Sequence, residues 1–122
     1  MIRAVIALAS VLAVDLTASA IDPQGASAPA LRAAFMYNFA KFTEWPANVI
    51  PRDQPIVFCV TTDDTPMAEA LEQIVKGRAV GGHTLTVRRV GLDNGVRACH
   101  LLYASGLDAK RTNELLGTVG PS

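Results

Sequence analysis

At 122 residues the chain is long enough for one small domain, and with half its residues hydrophobic and 18% charged it is globular rather than disordered. Eleven basic and eleven acidic residues cancel to a formal net charge of zero. That balance gives no reason to expect nucleic acid or an anionic membrane surface as partner. Residues 1–20 read as a secretory signal: Arg3 supplies the positive start, residues 4–14 are an apolar run too short to span a bilayer, and Ala18-Ser19-Ala20 is a small-x-small cleavage pattern. Ala26-Ser27-Ala28 offers a second cleavage site. The chain is therefore expected to be exported. Residues 21–30, rich in Pro, Ala, Ser and Gly, form a flexible leader, and residues 31–122 are the folded domain.

The periodicity predicts a helix over residues 30–44. This segment and Trp45 hold five of the chain's seven aromatic residues. Leu31, Phe35, Phe39 and Phe42 recur at helical spacing on one face, and that stripe is assigned to core packing. Tyr37, Lys41 and Glu44 share the opposite face and are candidate partner-binding residues. Trp45-Pro46 ends the helix, because the residue before proline avoids the α region.

Residues 56–60, IVFCV, form a continuous β-branched-rich run, the pattern of a strand buried on both faces. Thr61, Thr62, Asp63 and Asp64 follow it in a polar loop and are candidate ligand-pocket residues, since α/β folds bind ligands beyond the carboxyl ends of their strands. The Asp63-Asp64 pair could hold Mg²⁺, as in a phospho-receiver domain. The capping alternative, with Asp64 or Thr65 opening a helix at Pro66, is favoured. A receiver needs a further Asp and Lys after later strands, and the chain lacks them there. The helix from Pro66 stops at Gly77.

Residues 79–80, Gly81-Gly82 and residues 83–90 read as a strand, a tight turn and a second strand. His83, next to the turn, is expected to be exposed. Lys76, Arg78, Arg88, Arg89 and Arg97 make a basic middle section opposed only by Asp93; Arg88 and Arg89 are further partner-binding candidates, against the plainer reading of a solvated strand face. Residues 99–104, CHLLYA, are a second buried-strand candidate, with His100 a satisfied sheet residue. Residues 107–116 form a polar-faced helix anchored by Leu107, Leu115 and Leu116, with Asp108 inside it. Strands alternating with helices predict an α/β domain: one layered unit with a largely parallel sheet flanked by helices, incomplete at its C-terminal end.

The two cysteines, Cys59 and Cys99, are read either as a disulfide of an exported protein or as two buried thiols on neighbouring strands. With no CxxC or HxxxH pair the sequence has no zinc pattern, and no metal or other cofactor is expected. Cys59 lies mid-strand in an apolar run, where a thiol is unreactive. No base stands beside a nucleophile in sequence. No catalytic residue is assigned and no enzymatic activity is expected.

Four elements in this order carry a family resemblance. They are AAFMYNFAKFTEWP, the buried strand with Cys59, GxxVxGxxLxVRRV over residues 77–90, and ACHLLY over residues 98–103. Together, behind a signal sequence, they resemble the YfiR family of periplasmic regulators, also called HmsC-like. The resemblance implies a compact α/β domain and a Cys59–Cys99 disulfide. It also implies a non-enzymatic signalling role: binding the periplasmic region of an inner-membrane diguanylate cyclase and lowering cyclic-di-GMP output and biofilm. A homodimer is a further association it admits. Family members continue past residue 116 with further strands and a helix, so the resemblance implies that this chain is truncated. The alternative function is a periplasmic small-molecule sensor with its pocket near residues 61–65.

Overall fold

The computed structural model describes residues 27–93 and 95–120. The signal sequence expected over residues 1–20 lies outside them, as does the leader up to residue 26. Helix α1 spans Ala28–Phe42. It starts two residues earlier than the periodicity predicts because Ser27 caps it, its Oγ accepting from the Ala30 amide at 3.3 Å, with Pro29 in the first turn. Strand β1 (Ile56–Thr61) follows a proline-bounded loop, then helix α2 (Thr65–Val75), strands β2 (Ala79–Val80) and β3 (His83–Val90), a 3-10 turn (Gly95–Ala98), strand β4 (Leu101–Tyr103) and helix α3 (Ala109–Val119). No helix among the described residues is long and apolar enough to cross a membrane.

The four strands form one mixed, mostly parallel sheet in the order β2-β3-β1-β4. β1 is central. It pairs in parallel with β3, Phe58 facing Val87, and with β4, Phe58 facing Leu101. β2 and β3 form an antiparallel hairpin in which Val80 faces His83. Gly81 and Gly82 make its two-residue turn with φ of 57° and 83°, values an L side chain rarely adopts.

Every residue of β1 is buried, as its unbroken apolar run predicts. Alternation sends Ile56, Phe58 and Val60 to one face, where they pack with Met67, Leu71 and Val75 of α2 and with Ala33, Met36 and Ala40 of α1. Val57 and Cys59 point to the other face, where a smaller cluster with Val90 and Val96 is closed by Leu92, Leu102 and Leu115. Two helices thus cover one face of the sheet, and the 3-10 turn and α3 cover part of the other.

The aromatic stripe of α1 does not pack in the core. Leu31, Phe35, Phe39 and Phe42 are 52%, 56%, 60% and 84% exposed. The buried stripe is Ala33, Met36 and Ala40, with Tyr37 packed at its margin. Small residues at this contact let α1 lie close on α2, and the bulkier phenylalanines are turned outward.

Three local expectations also change. His83 is buried, because the hairpin folds over the preceding loop and the imidazole Nδ1–H donates to the Gln54 carbonyl at 2.8 Å. β4 is only three residues long and half-buried, and His100 precedes it. Asp108 is not inside the last helix but caps it, accepting from the Arg111 amide at 2.8 Å, which shifts that helix to Ala109–Val119.

Candidate functional site

Parallel strands point their carboxyl ends the same way, so β1, β3 and β4 all deliver the loops that follow them to one edge of the sheet. There a groove of about 690 Å³ opens between these loops and α3. Thr61, Thr62 and Asp63 line it after β1, and Gly91 and Asp93 line it after β3. Ser105 and Leu107 complete it after β4, and α3 closes it with Arg111, Glu114, Leu115 and Thr118.

Three of the four pocket residues expected from sequence therefore meet in one place. Asp64 has a different position. Its Oδ1 accepts from the Met67 amide at 3.2 Å and caps α2, while its Oδ2 accepts from the Ser105 hydroxyl at 2.8 Å. One carboxylate thereby holds the end of β1, the start of α2 and the loop after β4 together, and fixes the groove's shape.

Thr61 is unusual within the groove. It is 4% exposed, and its Oγ1 is buried with no hydrogen-bond partner among the described residues. A buried hydroxyl without a partner costs about 1–3 kcal/mol. Across the groove, the Asp93 carboxylate folds back over Gly91: a Cβ at that glycine would lie 2.8 Å from Asp93 Oδ1. Sequence reasoning did not assign Asp93, Arg111, Glu114 or Thr118 to the groove. They lie up to 57 residues from Thr61 in sequence, and only the sheet order brings them beside it.

The residues considered for partner binding divide into separate groups. The Tyr37 ring lies between two cations, Lys41 Nζ at 5.6 Å and Arg78 Cζ at 5.2 Å from its centroid. Lys41 and Glu44 border a shallow cleft with Trp45, Val80 and His83. Arg88 and Arg89 do not form one patch. Successive strand residues face opposite ways, so Arg88, level with Cys59, lies on the face of the disulfide, while Arg89, level with Val60, lies on the helix face and donates to Thr65 Oγ1 at 3.3 Å.

At the opposite, amino-terminal edge of β1 the same sequence segments lock together. Trp45 Nε1 donates to the Ala40 carbonyl at 2.8 Å, closing the last turn of α1. Its ring meets the His100 imidazole edge-on at 6.1 Å, and His100 Nδ1 accepts from the Val57 amide at 2.8 Å. Burial holds the His100 pKa below its ordinary value, and the nearby His83 lowers it further. The adjacent Cys99 is bonded to Cys59, with Cα atoms 5.7 Å apart.

A profile of YfiR/HmsC-like proteins matches residues 29–122, every described element apart from the first residue of α1. The chain belongs to the YfiR/HmsC-like family. That is a family of diguanylate cyclase regulators, generally non-catalytic and periplasmic, and the Cys59–Cys99 disulfide of this member fits an oxidising compartment. No curated protein and no solved structure shows significant similarity to the chain.

Proposed function

We propose that this chain is an exported, non-enzymatic regulator that binds the periplasmic region of an inner-membrane diguanylate cyclase and stabilises its inactive form. The reading is carried by the family assignment over residues 29–122. The signal-like residues 1–20 support export. The α1 stripe supports binding: Leu31, Phe35, Phe39 and Phe42 set four large apolar side chains in a row on the surface, bordered by Arg32 and Lys41. Aromatic rings with a charged border are what a protein interface uses, and the cyclase segment that covers them would be apolar. The Tyr37, Lys41, Arg78 cluster lies on the other side of α1 and is a separate candidate contact.

Mechanistically, the regulator would hold one conformation of its partner by binding it more tightly than the other. The disulfide keeps the sheet that carries α1 rigid, so its reduction would loosen the regulator and release the cyclase. The test is co-purification of the chain with the periplasmic domain of a cyclase from the same genome, read together with cellular cyclic-di-GMP. Wild-type chain should bind and lower the nucleotide. Phe35→Ser with Phe39→Ser should abolish both effects and leave the fold intact by circular dichroism. Unchanged binding in that variant would remove α1 as the interface. Absence of binding by the wild type to any periplasmic cyclase domain would remove the proposal.

A further inference from the structure

The groove at the carboxyl edge of the sheet has chemistry that partner binding through α1 does not use. We infer that it is a binding site for a small aliphatic amine, a diamine or a linear polyamine.

The first observation is Thr61. Its Oγ1 is buried without a partner, and its side chain leaves β1 on the face of Val57 and Cys59 and lines the groove. A ligand group reaching the floor would satisfy it. The second is charge. Asp63, Asp93 and Glu114 line the groove against Arg111, the one cation among its described lining residues. Three carboxylates against one guanidinium leave the described lining net negative, so the groove favours a positive ligand.

The shape and lining select among cations. No aromatic ring among the described residues lines the groove, so a cation there is held by carboxylates and not by a ring face. No three His, Cys, Asp or Glu side chains among the described residues come close enough together to hold a metal ion. Two carboxylates and a buried hydroxyl suit ammonium groups, each of which donates three hydrogen bonds. Leu92, Leu107 and Leu115 offer apolar surface for methylenes between them. The volume, about 690 Å³, lies within the range of small-molecule sites.

The site is independent of the cyclase reading, because ligand binding is measured on the chain alone. Isothermal titration and thermal shift of the mature, oxidised chain would use putrescine and spermidine, with sorbitol, glutarate and Mg²⁺ as comparators. The inference expects saturable one-to-one amine binding with Kd below about 1 mM, and no response to the comparators. Asp63→Asn and Asp93→Asn should each weaken it about tenfold, in line with the loss of one charge-assisted hydrogen bond. Glu69→Gln on α2, away from the groove, should leave it unchanged. Thr61→Val should raise the melting temperature of the free chain and shrink the amine-induced shift, opposite signs that simple misfolding cannot give. Three results would each overturn the inference: no saturable amine binding, equal binding by the Asp variants (general charge attraction), or binding of glutarate or sorbitol in place of the amines.

Discussion

Removing the Cys59–Cys99 bridge is the perturbation whose size follows most directly from the structure. The bridge closes a loop spanning a sequence separation of 40 residues. In the chain-entropy model such a cross-link removes about 13 cal/mol/K from the unfolded state, or about 4 kcal/mol at 25 °C. Small domains have only about 5–15 kcal/mol in total, so the loss takes a large share. It also falls unevenly. Cys59 is anchored in the buried centre of β1, while Cys99 belongs to the segment that leads from the 3-10 turn into β4. β4 has three residues and pairs only with β1, and α3 buries no residue completely. The bridge is therefore the main tether of the second half of the sheet. Urea unfolding of the oxidised chain and of Cys59→Ala with Cys99→Ala should differ by about 4 kcal/mol, and thermal midpoints by roughly 20 °C. Hydrogen exchange should show β4 and α3 opening before β1 and α2 in the variant. A stability difference below about 1 kcal/mol would refute the entropic argument.

Further outcomes follow from the packing and the caps. Phe35→Ser and Phe39→Ser, on the exposed stripe, should each change stability by no more than about 0.5 kcal/mol, whereas Phe58→Ala in the core should cost about 3–5 kcal/mol; chemical denaturation separates the two. Asp64→Ala loses both the α2 cap and the Ser105 bond, and should cost about 1–2 kcal/mol in the same assay, with Asp64→Asn milder. His100 should make stability pH-dependent. Its folded pKa lies below the ordinary 6.5, so the unfolded chain binds more protons as pH falls below that value, and stability declines there and is retained above it. The urea midpoint should drop between pH 7.5 and pH 5.5. That slope should flatten in His100→Asn, whose amide oxygen can still accept from Val57; an equal slope would refute the assignment.

The sheet was legible because its signals are local. IVFCV has the short, β-branched-rich apolar run of a strand buried on both faces, and Gly81-Gly82 supplies the positive φ that the β2–β3 turn requires. The orientation of α1 was not legible. Its sequence is apolar on two sides, and Ala33, Met36 and Ala40 repeat at helical spacing just as the phenylalanines do. Side-chain size decided the matter, because close contact with α2 favours alanine, and no single-helix pattern contains the shape of a neighbour. His83 was misread for a similar reason: its partner is a loop carbonyl 29 residues away. Of the groove, the residues directly after β1 were foreseeable from the rule for strand ends. Asp93 and the α3 residues were not, since their place depends on which strands become neighbours.

The central position of β1 sets the order in which the molecule can be completed. Both of its lateral partners come later in the chain, β3 some thirty residues on and β4 some forty-five. A chain emerging amino end first presents IVFCV with two unpaired edges until residue 90 has appeared and with one until residue 103, and Cys59 waits 40 residues for Cys99. During that interval the most apolar strand of the protein is a template for any extended segment nearby. Folding is thus delayed by topology, and the yield of native chain should depend on how well that one strand is shielded while it waits.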